Sequence, residues 1–484
     1  MPSLHAAPSF DARAAEAERS VVSFFGGRLL GIPHTHIAQL AFPAPARLGW
    51  PWHYWWQAHY LDVNIDAALR HQRQGNIAAA RQLAVRGDRI LATIRWRNGA
   101  RLPNAYYDDM AWLVLAVDRL RLLHDALGGT RPDRRLRRAE QALSAQLRSA
   151  MTEDLGGGLF WNTSRNFKNV AATAPWALHL ARTGDPTSAR RLVEWIYARL
   201  ESDHRGLFID GVRLVDGAEQ AVTDIYTYNQ GSVLGALLAL GDETDLARAR
   251  GIIAVVDDRL TTTRPGEGRP LRTHGGGDGG LFTGILARYL SLAATHPALG
   301  DKARATAKRL VLDTAEAMWT GRDLRHVGGR SGLTVFSCDP MLRARDNQPV
   351  DEPVEMSTQV QAWTIFEAAA SIPWLRNRPD KRPRPYRAVP PRTRDPGGGT
   401  TCAVHPQLRG GFTAPPRPLT QQPLDAASGW LTPPADRVRC LDAASRRRSL
   451  EKRGGEPAGC VPHGIPASKA APSKLTGFAY RLAP

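Results

Sequence analysis

Apolar residues recur at steps of three and four through most of the first 372 residues of this 484-residue chain. That spacing is typical of amphipathic α-helices, and the strand-like runs, chiefly 206–209 and 333–336, are short enough to be small loop hairpins. The chain is therefore predicted to be all-α, with twelve helices over residues 12–26, 53–71, 77–95, 106–127, 133–150, 168–183, 186–200, 224–240, 243–259, 279–296, 301–319 and 355–371.

Several helix boundaries are marked by capping residues. Gly184-Asp185-Pro186 places a glycine after one helix, an aspartate at the cap of the next and a proline in its first turn. Short turns of this kind favour antiparallel neighbours. Twelve helices joined alternately by short and long loops fit a toroid of helical hairpins with an inner and an outer ring. A two-domain helical bundle would accommodate them equally well.

The composition changes abruptly after residue 372. Residues 373–484 hold 20 Lys and Arg against 7 Asp and Glu, together with 19 of the 35 prolines, whereas the whole chain has a net charge of +18. Closely spaced prolines exclude helix, and no apolar periodicity replaces it. We predict a catalytic domain over residues 1–372 and a disordered, Pro/Arg-rich tail over 373–484. A basic tether for an anionic partner and the translation of a shifted reading frame are alternative explanations of the tail.

Several other classes of protein are disfavoured. Only six aromatic residues are scattered through the 112-residue basic tail, so no nucleic-acid partner is expected. No run of about 18 apolar residues could form a transmembrane segment. The four cysteines lack a CxxC spacing, so neither a metal site nor a disulfide framework is indicated. The first twenty residues do not resemble a secretion signal, which makes a cytoplasmic location, with a monomer as the default state, the expectation.

Two adjacent carboxylates, Asp108 and Asp109, form the most informative motif, because aromatic residues and a methionine surround them in the sequence NAYYDDMAW (104–112). Desolvation and mutual repulsion raise the pKa of at least one carboxyl in such a pair. One group can then stay protonated and act as an acid while the other remains anionic. Alternatively, the pair simply complements a helix dipole, with Asn104 as a nearby cap.

Four further segments open predicted helices and combine aromatic or glycine residues with amide and carboxylate groups. Aromatic faces can stack on sugar rings and the polar groups can bind hydroxyls, although packing in a helical core or plain helix capping would also explain them. The glycine-rich loop at 273–281 lacks the Gly-Lys-Ser/Thr sequence of a phosphate-binding loop. The candidate ligand-binding residues are Trp55, Trp56, Gln57, His59, Asn104, Tyr107, Trp112, Asn166, Tyr228, Asn229, Gln230 and Asp278.

Taken in order, the segments WHYWWQAHYLD (52–62), NAYYDDMAW (104–112), SRNFKNVAATAPWALHLAR (164–182), YTYNQGSVLGALL (226–238) and GGGDGGLFTGILARYL (275–290) resemble glycoside hydrolase family 76. The resemblance implies an (α/α)6 barrel and a retaining endo-α-1,6-mannanase without metal or organic cofactor. By position, it implies that Asp108 is the nucleophile and Asp109 the general acid/base. The implied partner is α-mannan or another mannose-containing polysaccharide or oligosaccharide, such as a cell-envelope glycan.

Two other functions remain open at the level of sequence. A sugar epimerase or unsaturated-uronide hydrolase could use the same helical toroid, and an acid/base set centred on histidine would favour it. A non-catalytic glycan-binding protein is the alternative from a different class. Retention of α-1,6-mannan binding by an Asp108→Ala, Asp109→Ala double variant, with no hydrolysis by the parent protein, would favour that reading.

Overall fold

The computed structural model describes residues 8–44, 52–128, 134–203, 206–263, 268–327 and 329–373, and these contain thirteen helices. Twelve of them correspond to the twelve predicted helices, and the four-residue α12 is an addition within a long loop. Their bounds are α1 Phe10–Phe24, α2 Tyr54–Arg73, α3 Ile77–Arg97, α4 Tyr107–Ala126, α5 Arg134–Ala150, α6 Val170–Thr183, α7 Pro186–Leu200, α8 Thr227–Leu240, α9 Glu243–Arg259, α10 Gly279–Thr295, α11 Asp301–Thr320, α12 Ala344–Asn347 and α13 Met356–Ser371.

Short antiparallel strands occur only in the loops of the described part of the chain. They pair as β1 with β2, β3 with β9, β4 with β5 and β6, and β7 with β8. Their bounds are β1 Gly26–Gly27, β2 Ile37–Ala38, β3 Ala41–Phe42, β4 Phe167–Asn169, β5 Gly211–Val215, β6 Ala218–Val222, β7 Asp323–Val327, β8 Arg330–Val335 and β9 Val354–Glu355. The predicted strand at 333–336 overlaps β8, whereas 206–209 forms only a single bridge between Phe208 and Glu201.

The helices form two concentric rings. In the inner ring α2, α4, α6, α8, α10 and α13 pack each against the next, and α13 packs back against α2 to close the circle. Each outer helix packs mainly against one inner helix, with α1 covering α13, and some also contact a second inner helix, as α11 contacts both α10 and α13. This closed circle confirms the toroid, an (α/α)6 barrel, and excludes the two-domain bundle.

Burial follows the two rings. The outer helix α5 buries a single stripe at helical spacing, and most of its remaining surface faces solvent; the stripe consists of Leu136, Ala139, Leu143, Leu147 and Ala150. In the inner helix α8 every residue from Thr227 to Leu237 is buried. A helix enclosed on all sides can therefore carry polar side chains only where partners satisfy them.

The loops alternate between two ends of the barrel. Turns of two to five residues connect α2, α6, α8 and α10 to the outer helices that follow them, for example Gly184 and Asp185 between α6 and α7. The long loops, 25–53, 98–106, 151–169, 201–226, 260–278 and 321–355, all lead into the N-terminus of an inner helix. Because the inner helices are parallel, all six N-termini and all six long loops gather at one end.

Buried ion pairs join the inner helices below that end. Arg119 on α4 and Arg288 on α10 both bond to Asp62 and Asp66 on α2. Nearer the opposite end, Arg70 on α2 bonds to Glu367 on α13 and Glu18 on α1. Charges buried in this way contribute to stability only while each keeps its partners.

The predicted disorder of the tail lies outside the described residues. None of the described helices has the length and apolarity that crossing a bilayer requires.

Candidate active site

The paired carboxylates lie in the first turn of α4, at the end of the barrel that carries the long loops. Tyr106 precedes the helix in an extended conformation, and the Tyr107 amide donates to the carbonyl of Trp161 at 2.7 Å. The Asp109 amide donates to Asp108 Oδ1 at 2.9 Å. The N-terminal placement predicted for the pair is therefore confirmed, and the positive end of the helix dipole favours its ionisation.

Asp108 is half-buried and accepts a second hydrogen bond, from the indole Nε1 of Trp161 to Oδ2 at 2.9 Å. Burial raises the pKa of Asp108 to about 7, the bonds from Trp161 and from the Asp109 amide oppose that rise, and the charge of Asp278 adds to it. Two donors aimed at the carboxylate stabilise its anionic form, which is the form a nucleophile requires.

Asp109 is more deeply buried, with 9% of its surface exposed. Burial raises its pKa well above the ordinary value, and the neighbouring charge of Asp108 raises it further. Asn104 Nδ2 donates to Asp109 Oδ2 at 2.6 Å, and the main chain of Trp55 also lowers the pKa by hydrogen bonding. The two adjacent carboxyls therefore titrate as a unit, and near neutral pH the pair can contain one acid and one anion.

Asn104 does not cap α4. Its Oδ1 accepts a bond from the Tyr106 amide at 3.0 Å, which turns the chain into the helix, while its Nδ2 is directed at Asp109. Instead of capping the helix, this side chain orients one of the two carboxyls.

A third carboxylate lies opposite the pair. Asp278 precedes α10, and its Oδ1 accepts bonds from the indole Nε1 of Trp55 at 3.1 Å and of Trp56 at 2.8 Å. Both tryptophans lie in the first turn of α2, so this contact joins two inner helices at their N-termini. The glycine-rich loop before α10 therefore places Asp278 against Trp55 and Trp56, and the Asp278 side chain does not cap its own helix.

A fourth carboxylate lies beside Tyr228, at the start of α8. Tyr228 donates its hydroxyl to Asp210 Oδ1 at 2.6 Å, and burial raises the pKa of Asp210 to about 6 while the bond from Tyr228 lowers it. Rings connect this group to the rest of the site, because Tyr228 lies 4.5 Å from Phe282 and 6.3 Å from Trp112, measured between centroids.

The other predicted binding residues differ in what their side chains contact. His59 is buried between Trp55 and Trp112, and its Nε2 finds no hydrogen-bond partner among the described residues. Burial lowers the pKa of His59 to about 3, so the ring is neutral. Tyr107 and Asn229 are buried where α4 and α8 begin. Asn166 is exposed on the loop before β4.

Two predicted sugar-binding amides have structural partners instead. Gln57 is fully buried, accepting from the Ala38 amide and donating to the Ala38 and Trp52 carbonyls. Gln230 is also fully buried and bonds to both main-chain groups of Phe208. Both amides fasten a long loop to an inner helix, so the structure does not support their predicted role in binding hydroxyls.

Trp161 and Asp210 were not identified from the sequence. Trp161 immediately precedes the polar segment 162–169, and Asp210 directly follows the run at 206–209, so both lie beside segments that the pattern did mark. A lone tryptophan or aspartate in a loop carries no spacing signal, and only the folded loops bring them to the inner helices.

No group of three or more His, Cys, Asp or Glu side chains in the described ranges is arranged to hold a metal ion. A closed double ring of helices with paired, pKa-shifted carboxyls at its loop-bearing end is the architecture of an (α/α)6-barrel glycoside hydrolase. The chain belongs to glycosyl hydrolase family 76, whose model matches residues 9–371.

Solved structures agree with this assignment. The GH76A α-1,6-mannanase from Salegentibacter sp. HEL1_6 is 26% identical, with a TM-score of 0.62 over 75% of this chain and 99% of that chain. An inactive variant of that mannanase, with two consecutive aspartates changed to asparagine and α-1,6-mannotriose bound, gives 26% identity, a TM-score of 0.61 and the same coverage. The Lin0763 protein from Listeria innocua is 23% identical and shares the fold, with a TM-score of 0.57 over 75% of this chain and 97% of that chain. No curated protein matches the sequence.

Proposed function

We propose that this glycoside hydrolase is a retaining endo-α-1,6-mannosidase that cleaves mannan or a related mannose-bearing glycan by double displacement. The observation that carries the proposal is the unequal environment of the two adjacent carboxyls. Both carboxyls accept hydrogen bonds that favour the anion, but Asp109 is the more deeply buried, and burial together with the charge of Asp108 raises its pKa well above the ordinary value.

In the first step, protonated Asp109 gives its proton to the glycosidic oxygen while Asp108 attacks the anomeric carbon. The bond from that carbon to the glycosidic oxygen breaks, and a glycosyl ester forms on Asp108. In the second step, ionised Asp109 removes a proton from water, which attacks the same carbon and releases Asp108. Two inversions restore the original configuration.

The remaining groups of the site have the chemistry to bind mannose. The rings of Trp55, Trp112 and Tyr228 offer apolar faces, and the carboxylates of Asp278 and Asp210 can accept hydroxyl protons. The related Salegentibacter mannanase binds α-1,6-mannotriose in its inactive form, in which two neighbouring aspartates are replaced. This supports mannooligosaccharides as the ligand class and a neighbouring acid pair as the reactive centre.

The chemistry disfavours a histidine-centred reaction. Burial lowers the pKa of His59 to about 3 and that of His274 to about 4, with Arg288 and Arg272 respectively lowering them further. Both rings therefore stay neutral over the physiological range and could not serve as acids there. The epimerase alternative has no comparable feature to support it.

The deciding experiment follows the products of linear α-1,6-mannan by NMR during the first minutes of incubation with the full chain. The proposal predicts that the α-anomer appears first and only later equilibrates. Initial release of the β-anomer would mean inversion and would exclude Asp108 as a covalent nucleophile. Unhydrolysed mannan, with binding retained in the Asp108→Ala, Asp109→Ala variant, would establish a binding protein instead.

The individual roles are separable with azide and a dinitrophenyl α-1,6-mannobioside, whose leaving group needs no protonation. Asp109→Ala with azide should yield the α-glycosyl azide, because azide replaces water in the second step. Asp108→Ala should yield the β-glycosyl azide, because azide then attacks the substrate directly. The opposite pair of products would reverse the two assignments.

A further inference from the structure

Lys168 is a fully buried cation in the loop between α5 and α6. Its ammonium donates to the carbonyl oxygens of Thr152, Asp154 and Gly157 at 2.7 to 2.8 Å, with Gly158 O and Thr152 Oγ1 at 3.4 and 3.0 Å. Five oxygens around one cation form a shell like the one that a loop builds around a metal ion. The segment 152–158 is therefore folded about the Lys168 ammonium.

The backbone of this loop is strained and tightly packed. Leu155 has a left-handed φ of 54°, which is costly for a residue with a side chain. Gly158, with φ of 72°, lies so close to Trp195 that an added Cβ would come within 2.6 Å of the indole. Carbonyl groups that point inward along this turn would repel one another if no cation lay between them.

The chain leaving this loop leads directly to the nucleophile. The Phe160 ring lies 4.6 Å from the Lys168 ammonium, and Trp161 follows. Trp161 is attached to α4 twice, because its carbonyl accepts from the Tyr107 amide at 2.7 Å and its indole donates to Asp108 at 2.9 Å. A change in the shape of 152–158 would therefore move a hydrogen bond that acts on Asp108.

We propose that Lys168 is a positioning residue for the nucleophile, acting through the 152–158 loop and Trp161, a role that rests on the proposed function of Asp108. The ammonium is enclosed by the loop, and its hydrogen bonds all go to residues 152–158 rather than to Asp108. Glu153, Asp154 and Arg165 are the charged side chains that affect Lys168, and Asp109 and Asp278 are those that affect Asp108. None of these other groups bridges the loop to α4.

The first test compares Lys168→Met with Arg325→Met. Arg325 is a matched control, since it is also buried and donates to three loop carbonyls, those of Ala344, Gln348 and Pro349, but in a loop that does not contact Asp108. Both variants should melt at a lower temperature. Only Lys168→Met should lower kcat on α-1,6-mannan by about tenfold or more with little change in KM, and move the acidic limb of kcat/KM to higher pH. Equal kinetic effects in the two variants would overturn the proposal.

The second test is a double-mutant cycle with Trp161→Phe. If Lys168 acts through Trp161, the double variant should lose no more activity than the worse single variant. Additive losses would show that Lys168 reaches the site by another route or only supports the fold.

A third measurement does not depend on activity. In protein labelled with ¹⁵N-tryptophan, the indole signal absent from Trp161→Phe is that of Trp161, and its shift should report the protonation of Asp108. The proposal requires Lys168→Met to displace this signal and its titration, while Arg325→Met leaves both unchanged. If the wild type does not hydrolyse mannan but the signal behaves as stated, the proposed function fails and the positioning role stands. If the wild type hydrolyses mannan but Lys168→Met does not displace the Trp161 signal, the positioning role is refuted and the proposed function stands.

Discussion

Trp161→Phe isolates the hydrogen bond on which the ionisation of Asp108 depends. Phenylalanine keeps an aromatic ring between Tyr106 and Phe167, which lie 5.2 and 6.0 Å from the Trp161 ring, but removes the indole N–H that lies 2.9 Å from Asp108 Oδ2. The substitution therefore changes the electrostatics of the carboxylate more than the packing of the loop.

The size of the effect follows from the strength of a hydrogen bond to a charged group, which is about 1.5 to 3 kcal/mol. Since about 1.36 kcal/mol corresponds to one pH unit, the pKa of Asp108, about 7 in the intact protein, should rise by about 1 to 2. The sign is upward because the lost bond favoured the anion. On the acidic limb, where the rate follows the ionised fraction, kcat/KM should fall about 10- to 100-fold.

The assay is the pH dependence of kcat/KM with the dinitrophenyl α-1,6-mannobioside, because its first step does not need a proton from Asp109. Trp363→Phe is the control, since it removes an indole bond to a different carboxylate, Glu367 Oε1 at 3.0 Å, near the opposite end of the barrel. The control should lose stability yet keep its acidic limb. A limb that stays in place in Trp161→Phe, or moves equally in both variants, would refute the reasoning.

Three further outcomes are expected. Asp210→Asn should raise KM for mannooligosaccharides more than it lowers kcat, because Asp210 bonds to Tyr228 at the wall of the site; a selective loss of kcat would assign it to the chemistry instead. Arg70→Met should cost about 3 to 5 kcal/mol in urea unfolding because Glu367 and Glu18 are left without their buried partner, whereas the exposed Arg191→Met should cost less than about 1 kcal/mol. Truncation after Pro383 should leave the melting temperature and kcat/KM unchanged, and a large loss of either would give the tail a role in the barrel.

The fold was predictable because helical periodicity is repeated in every segment. All twelve predicted helices are present, most with ends within two or three residues of the pattern. The missing element, α12, spans four residues and is too short to display a period. The residues alone could not distinguish the toroid from the bundle. The contact that decides between them joins α13 to α2, two helices that lie near opposite ends of the sequence.

The geometry of the candidate site was predictable where chemical groups are concentrated within a short stretch of sequence. Asp108 and Asp109 are adjacent, and the aromatic residues around them in the sequence predict the burial that the structure shows. Gln57 and Gln230 belong to the same kind of stretch but bond to main-chain groups of distant loops, which no local pattern records. The sequence pattern does not identify Trp161 as a site residue, because its partner Asp108 lies 53 positions away.

The gathering of six inner-helix N-termini at one end has a consequence for the charge that develops during glycosidic cleavage. Asp108 and Asp109 in α4, Asp278 before α10 and Glu355 before α13 all lie where the aligned peptide dipoles of an inner helix are positive. These dipoles can support clustered anions without any mobile counterion, so the cleft can present a negative field to the positive, oxocarbenium-like sugar of the transition state. Because the helix backbone itself stabilises these carboxylates, added salt should weaken their field at the anomeric carbon only slightly. The binding of an uncharged glycan should also depend only weakly on salt.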